Sequence, residues 1–279
     1  MDNSEEEEVQ QQRWLGQGST VSISDRGFQY GDGCFSTIAV QQGKARLWDY
    51  HQRRLMQTLS LLCIPFSDFD GLAEQVRLAA ASFNADGVVK VMITRGEGGR
   101  GYSASGAVTP NVVVTTSPMP PHYAALRREG IALGICHTQL GHNPLLAGHK
   151  HLNRLEQILV RQEIDREGWL DAIVTDLDNK VVETGIANLF WEIDGKLYTP
   201  DLSLAGVNGV MRQRIIDWAQ QAGVPVVAVR VSIPELVTQA KALFICNALL
   251  GPVFVSAVAG QTYVPGEIYL QLTKSLCCD

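Results

Sequence analysis

The chain has 279 residues, of which 46% are apolar and 19% charged, and a formal net charge of −6. That is the balance of an ordinary globular protein, with length enough for two modest domains. The acidic balance, without Lys/Arg clusters interleaved with aromatics, argues against a nucleic-acid binder, and no apolar run reaches the length of a membrane span.

The N-terminal run MDNSEEEEVQQQR is acidic and polar and has no apolar core. It reads as a disordered tail over residues 1–13 and not as a secretory leader. A first domain is then expected over 14–117. Residues 21–23 and 34–40 are short strand candidates, with Gly27, Gly31 and Gly33 marking turns. Apolar residues at Trp48, Leu55, Leu59 and Leu62 predict a helix over 48–62, and a second is expected over 69–83. The Val-dense stretches 88–94 and 112–116 read as buried strands. Pro118, Pro120 and Pro121 mark a linker over 118–121.

A second domain follows over 122–279. It begins with a strand over 131–136, a Gly/Asn/Pro loop over 141–148 and a helix over 153–166. Residues 172–176 and 180–183 form a hairpin turning at Asp178-Asn179. Strands at 189–192, 226–231, 242–246 and 253–258, with helices at 211–222 and 267–276, complete the pattern. The six cysteines are Cys34, Cys63, Cys136, Cys246, Cys277 and Cys278; none makes a CxxC pair and four lie in apolar stretches. This is the pattern of buried thiols in a reducing compartment, so a cytoplasmic location is expected.

Several residues carry chemistry when weighed by type. Lys150 lies between a glycine-bearing loop and the start of a helix, flanked by His149 and His151. A lone loop lysine is most often a solvated charge, but a lysine can also condense with an aldehyde cofactor. Glu183 ends a Val-Val strand before Thr184-Gly185; such a carboxylate usually faces water, or it can hold a protonated ring nitrogen. Gly209-Val210-Met211-Arg212 opens a helix, whose free N–H groups attract anions. The stretch TRGEGGRGY contains a formal GxGxxG at Gly96, Gly98 and Gly101. The Ser-Ala-Ser-Gly that follows cannot be the helix a dinucleotide site needs. The glycines instead allow close approach to a ligand, and Arg100 offers a fork suited to a carboxylate. Asp176-Leu177-Asp178 starts like a calcium loop but lacks its Gly and Glu, so it reads as a turn. His137, His142, His149 and His151 find no carboxylate or cysteine at metal-ligand spacing, and no metal is expected.

The ordered runs QYGDGCFST, HQRRL, TRGEGGRGY, HKHLNRLEQ, ETGIANLF and AGVNGVMR resemble the fold-type IV pyridoxal-phosphate enzymes over about residues 21–258. The resemblance implies an α/β (α+β) architecture of two domains, with pyridoxal 5'-phosphate in the interdomain cleft, in a homodimer acting on a small molecule. It implies that Lys150 is the catalytic, cofactor-bearing lysine and that Glu183 meets the pyridine nitrogen. Arg54, not Arg53, would grip the phosphate together with the backbone of Val210 and Met211, and Asn188 would contact the cofactor. Asn247-Ala248 stand where many relatives have Gly-Thr, so the hydroxyl of that second phosphate contact is missing. Arg100, Tyr30 and Tyr102 would face substrate. Within the group, HLNRLEQ and a second catalytic residue, Thr37, resemble the aminodeoxychorismate lyases. That implies conversion of 4-amino-4-deoxychorismate to p-aminobenzoate and pyruvate for folate synthesis, with D-amino-acid or branched-chain aminotransfer as the alternative.

Overall fold

The structure is a computed structural model describing residues 12–16 and 18–276. The acidic run 1–11 and Cys277 and Cys278 lie outside the described residues. The chain divides into two compact units: one runs to Pro118 and takes in His151–Asn153, and the other comprises Met119–Lys150 and Arg154–Asp279.

In the first unit, β1 (Arg13–Leu15), β2 (Gly33–Gln41), β3 (Lys44–Ala45), β4 (Gly87–Thr94) and β5 (Asn111–Pro118) form a five-stranded sheet in the order β1-β5-β4-β2-β3. Alternation decides its inner face: Cys34, Ile38 and Val40 on β2 and Val89, Val91 and Ile93 on β4 are buried. Helices α2 (Trp48–Leu61) and α3 (Phe69–Ala81) cover that face. They present Leu55 and Leu59, and Leu72, Val76 and Ala80, at spacings of four that keep one stripe inward.

Three expectations for this unit are corrected. Arg13 is the first residue of β1, and Gln12 before it donates Nε2 to Asp68 Oδ2 at 2.6 Å, so two residues of the expected tail are part of the structure. Residues 21–23 form no strand; Val21 and Ile23 are exposed, and the chain turns through a Ser22 carbonyl bond to the Asp25 N–H. Gly27 lies within a short helix, α1 (Arg26–Tyr30), because the Asp25 carboxylate accepts from the N–H groups of Gly27 and Phe28 at its start. Gly31 ends α1 at φ +67, a left-handed position that suits glycine. Gly33 is a strand residue, not a turn: a Cβ there would collide with the Ile93 carbonyl oxygen. His151–Asn153 pair here, with Leu152 N–H donating to Gly33 O at 2.9 Å and Asn153 Nδ2 to Gly31 O at 3.0 Å.

In the second unit, α4 (Tyr123–Glu129) follows the prolines, and β6 (Ile131–Ile135) comes next. After α5 (Leu155–Arg166) come β7 (Asp171–Thr175), β8 (Val181–Thr184), β9 (Asn188–Ile193) and β10 (Lys196–Pro200). The remaining elements are α6 (Val210–Gln221), β11 (Val226–Val229), α7 (Ile233–Gln239), β12 (Ala242–Asn247), β13 (Gly251–Val258), β14 (Gln261–Thr262) and α8 (Glu267–Leu276). The sheet order is β11-β10-β9-β12-β13-β6-β7-β8, with β14 beside β13. Its central strands read as unbroken apolar runs because both faces are buried, as Leu189, Phe190, Trp191, Phe244 and Ile245 show. The sequence reading lacked α4, α7 and β10. For α7 a signal was present: Ser232 and Glu235 form a capping box, with Pro234 in the first turn.

Candidate active site

In the second unit, a four-residue segment, 206–209, gathers the candidate residues. Gly148 donates its N–H to Gly206 O at 2.9 Å and accepts from Asn208 N–H at 2.9 Å, so the strand-like pairing ends two residues before Lys150. Glu183 Oε2 accepts the Val207 N–H at 2.9 Å. Asn188 grips the same segment twice: Nδ2 donates to Val207 O at 2.8 Å, and Oδ1 accepts from Gly209 N–H at 3.1 Å. Gly209 then caps α6, whose first N–H groups, those of Val210 and Met211, have no acceptor within the helix. Three separate runs of sequence thus fix one local geometry.

Glu183 is 8% exposed. Burial pushes its carboxyl above the usual range; the Val207 N–H, the charges of Lys150 and Arg154, and a hydrogen bond with the Gln157 side chain all pull the other way. A buried carboxylate of this kind suits a partner that brings both a proton and positive charge, such as a protonated ring nitrogen. With a primary amine at Lys150 and free N–H groups at α6, the donor set fits pyridoxal phosphate on this side.

The run HLNRLEQ proves to be a set of anchors. Asn153 holds Gly31 in the first unit. Arg154 Nη2 donates to His149 O at 3.0 Å, and Glu156 Oε1 accepts from Gly141 N–H at 2.8 Å. The sequence reading used these letters as a family mark and missed the task of each. Asn247 spends its side chain on turns: Oδ1 accepts from the N–H groups of Leu249 and Leu250, and Nδ2 donates to Ile186 O. Any anion contact at Asn247-Ala248 is therefore left to the backbone, and the amide of Asn188 is likewise committed to 206–209.

In the first unit, Arg54 is half-buried and Arg53 is exposed, its guanidinium 5.3 Å from the Tyr50 ring. Arg54 Nη2 donates to Ser36 Oγ at 2.6 Å, and Ser36 Oγ lies 2.7 Å from Nδ1 of the fully buried His51. The His of HQRRL thus orients the arginine through a serine on β2. Thr37, the next residue, is half-buried in register with Lys90, whose Nζ lies 5.2 Å from the Phe35 ring.

Tyr30 and Tyr102 touch one another, and Arg100 stands two residues before Tyr102. Arg100 is exposed at a turn closed by Ser103 N–H to Arg100 O, and the rings of Tyr30 and Tyr102 meet edge to face at 5.6 Å. A buried arginine that the sequence reading missed holds this glycine loop. Arg26 donates to the carbonyls of Gly101, Tyr102 and Ser103 and, through Nε, to Asp32 at 2.9 Å. Arg95 grips the same carboxylate at 2.7 Å. Burial raises the pKa of Asp32, but bonds and charge from Arg95 and Arg26 outweigh it and hold the carboxyl below its usual range.

No carboxylate stands at metal-ligand spacing from the histidines in the sequence, but the fold sets two beside His142. His142 Nε2 lies 3.3 Å from Asp176 Oδ2 and 3.9 Å from Asp178 Oδ2. Sequence spacing hid this because the bridge between Leu140 and Asp176 sets His142 beside the turn that joins β7 and β8. Arg230 already pairs with both carboxylates, at 2.9 and 2.8 Å, so the group reads as an ion-pair network.

The chain belongs to the amino-transferase class IV family, whose profile matches residues 33–258. It is 43% identical to an aminodeoxychorismate lyase of Vibrio harveyi, over 86% of this chain and 88% of that one. A crystal structure of 4-amino-4-deoxychorismate lyase from Pseudomonas aeruginosa superposes with a TM-score of 0.87 at 38% identity, covering 94% of this chain and 96% of that chain. A D-alanine aminotransferase of Bacillus licheniformis is 25% identical over 88% of this chain and 86% of its own. Among the described residues, no helix is long and apolar enough to cross a membrane.

Proposed function

We infer that this protein is a pyridoxal-phosphate-dependent lyase that converts 4-amino-4-deoxychorismate to p-aminobenzoate and pyruvate, a step of folate synthesis. The observation that carries the cofactor chemistry is the buried Glu183 carboxylate, held on segment 206–209 under the charge of Lys150. The lyase relatives at 43% and 38% identity, against 25% to 29% for aminotransferase relatives, favour elimination over amino transfer.

When bound, pyridoxal phosphate supplies an electron sink to the substrate carbon that bears the amine. Lys150 would hold the cofactor through its amine and would serve as general base toward the proton on that carbon. Glu183 would stabilise a proton on the ring nitrogen. Arg54 and the N–H groups of Val210 and Met211 bind phosphate, with Asn188 and the backbone at Asn247-Ala248 shaping that cradle. Thr37 would assist proton transfer or position the leaving group. Arg100, with Tyr30 and Tyr102, binds the carboxylate side of the substrate.

The chain acts as a homodimer: α5 exposes Leu155, Ile158 and Leu159, an apolar face that a second copy would cover. The free, buried thiols Cys34, Cys136 and Cys246 accord with the cytoplasm. Purified protein given aminodeoxychorismate should release p-aminobenzoate and pyruvate in equal amounts with no keto acid added. Efficient amino transfer from D- or branched-chain amino acids to 2-oxoglutarate, without p-aminobenzoate, would establish the aminotransferase reading instead.

A further inference from the structure

One buried side chain clasps the glycine loop that follows β4. Arg26, the first residue of α1, donates its backbone N–H to Gly96 O at 2.9 Å, where the loop begins. Its guanidinium reaches the other arm. Nη1 donates to Gly101 O and to Ser103 O, both at 3.0 Å, and Nη2 donates to Tyr102 O at 3.1 Å. Three consecutive exposed residues, directly after Arg100, are thus held by their carbonyls. Nε is spent on Asp32 at 2.9 Å, which fixes the direction of the fork. The fork also lies 5.1 Å from the centre of the Tyr30 ring, the ring that meets Tyr102. The fit is close: Gly99 stands at φ +77, and a Cβ there would strike Ser103 O and come within 3.2 Å of Arg26 Nη1. Asp32 is shared with Arg95, which donates to it through Nε at 2.7 Å and to the carbonyls of Leu62 and Cys63 past the end of α2. One carboxylate therefore moors the loop to the rest of its unit.

We propose that Arg26 is a positioning residue for substrate recognition: by locking residues 101–103 it keeps Arg100 presented to a substrate carboxylate. This rests on the reading of Arg100 as the residue that binds that carboxylate. Ordering a glycine-rich segment costs backbone entropy. If the substrate had to order the loop, that cost would be subtracted from its binding; Arg26 meets it beforehand. Most of the guanidinium N–H groups of Arg26 are engaged by the loop and Asp32, so its effect passes through Arg100. A carboxylate that takes no part in bond breaking is held alike in the ground and transition states. Loosening its partner therefore weakens binding and spares the chemical step.

The test uses the cofactor-loaded enzyme with Arg26→Met, Arg26→Lys, Arg100→Met and the double variant Arg26→Met with Arg100→Met. Arg26→Met leaves Asp32 paired with Arg95, so no bare carboxylate is created. Thermal unfolding checks the fold, and Arg26→Lys carries the comparison if Arg26→Met melts early. Arg26→Met should raise KM for 4-amino-4-deoxychorismate about tenfold, with kcat changed by less than about threefold. Arg26→Lys, which keeps the charge and loses the fork, should fall between this variant and the parent. Trypsin should cut after Arg100 at least about fivefold faster in Arg26→Met, while the cut after the exposed Arg77 of α3 keeps its rate. In the Arg100→Met background, Arg26→Met should change KM by less than about twofold, because its target is gone. Equal KM effects in the two backgrounds, or an unchanged rate of cutting after Arg100, would overturn the proposal. Failure of the underlying reading looks different: Arg100→Met alone would then keep the parent KM.

Discussion

Asn188 accepts the N–H of Gly209 on Oδ1 at 3.1 Å, which ties the first residue of β9 to the cap of α6. Because the same amide also donates to Val207 O, the helix N-terminus and the Glu183 segment hold one geometry. A Cβ on Gly209 would run into Asn188 Oδ1. Gly209→Ala is therefore expected to weaken pyridoxal phosphate binding about tenfold, as is Asn188→Ala, since a buried amide bond contributes roughly 1 kcal/mol and an orphaned partner costs about 1–3. Titration of the apo variants by absorbance measures this. Unchanged affinity in both would show that α6 does not receive the phosphate.

Lys150→Ala should remove both turnover and the visible absorbance of lysine-bound cofactor. Glu183→Gln should keep the cofactor and lose more than nine-tenths of the rate, a change of at least ~1.4 kcal/mol in the barrier. An amide at 183 still accepts the Val207 N–H, so binding geometry survives while the counter-charge is lost. A Glu183→Gln enzyme running above a tenth of the parent rate would remove that residue from its assigned role.

Arg54→Ala should weaken cofactor affinity, at a cost of roughly 1.5–3 kcal/mol for a charge-assisted bond. Arg53→Ala should do far less, since Arg53 is exposed against Tyr50. Ser36→Ala should fall between them, because Ser36 links Arg54 to His51. Apo-enzyme titrations rank the three; Arg53→Ala as the most damaging would reverse the helix register assigned to the phosphate.

Most regular elements were legible because their apolar spacing coincides with burial: α8 runs over 267–276 as expected, and β2 and β4 extend the expected strands by one or two residues. Short elements were not, because capping and tertiary contacts make them. The Asp25 cap that creates α1 is itself held by Thr94 and Asn111, from 69 and 86 positions away. At the site, types and order gave Lys150, Glu183 and Arg54. Ser36, which bonds Arg54, and Arg26 and Asp32, which hold the glycine loop, were hidden, since ordinary polar letters acquire meaning only from what the fold sets beside them. The same limit applied to His142, whose carboxylate neighbours come from a turn 34 and 36 positions on.

Cysteine chemistry separates by burial. Burial pushes the thiol of Cys34 up to about 12 against the opposing charge of Arg54. Cys136 is likewise raised to about 12, by burial and then by Glu163 and Asp171, and Cys246 is raised by burial. Cys63 is exposed just past the end of α2, at φ +51. Brief alkylation of the native protein at pH 8 should therefore label Cys63 and spare those three, as read by peptide mass spectrometry. Equal labelling of Cys34 or Cys246 would contradict the packing of their strands.

Asp171 gives the molecule a pH dependence of known sign. It is fully buried at the start of β7, its Oδ1 accepting the Ala172 N–H at 2.9 Å. Burial raises its carboxyl from 3.8 to about 6, against partial relief from Thr184 and the Ala172 and Gly185 N–H groups. The folded state thus keeps the proton where the unfolded state has released it. Stability from this group is greatest below about pH 4, falls as pH rises towards about 6, and stays reduced above that. The full penalty for holding the ionised carboxylate in the fold is about 3 kcal/mol, at about 1.4 kcal/mol for each pH unit across that window. Asp171→Asn keeps the Oδ1 acceptor and removes the charge. It should raise the urea midpoint at pH 7.5 by more than it does at pH 4.5, where the native carboxyl is already protonated. An equal gain at both pH values would mean that some other buried group titrates in this window.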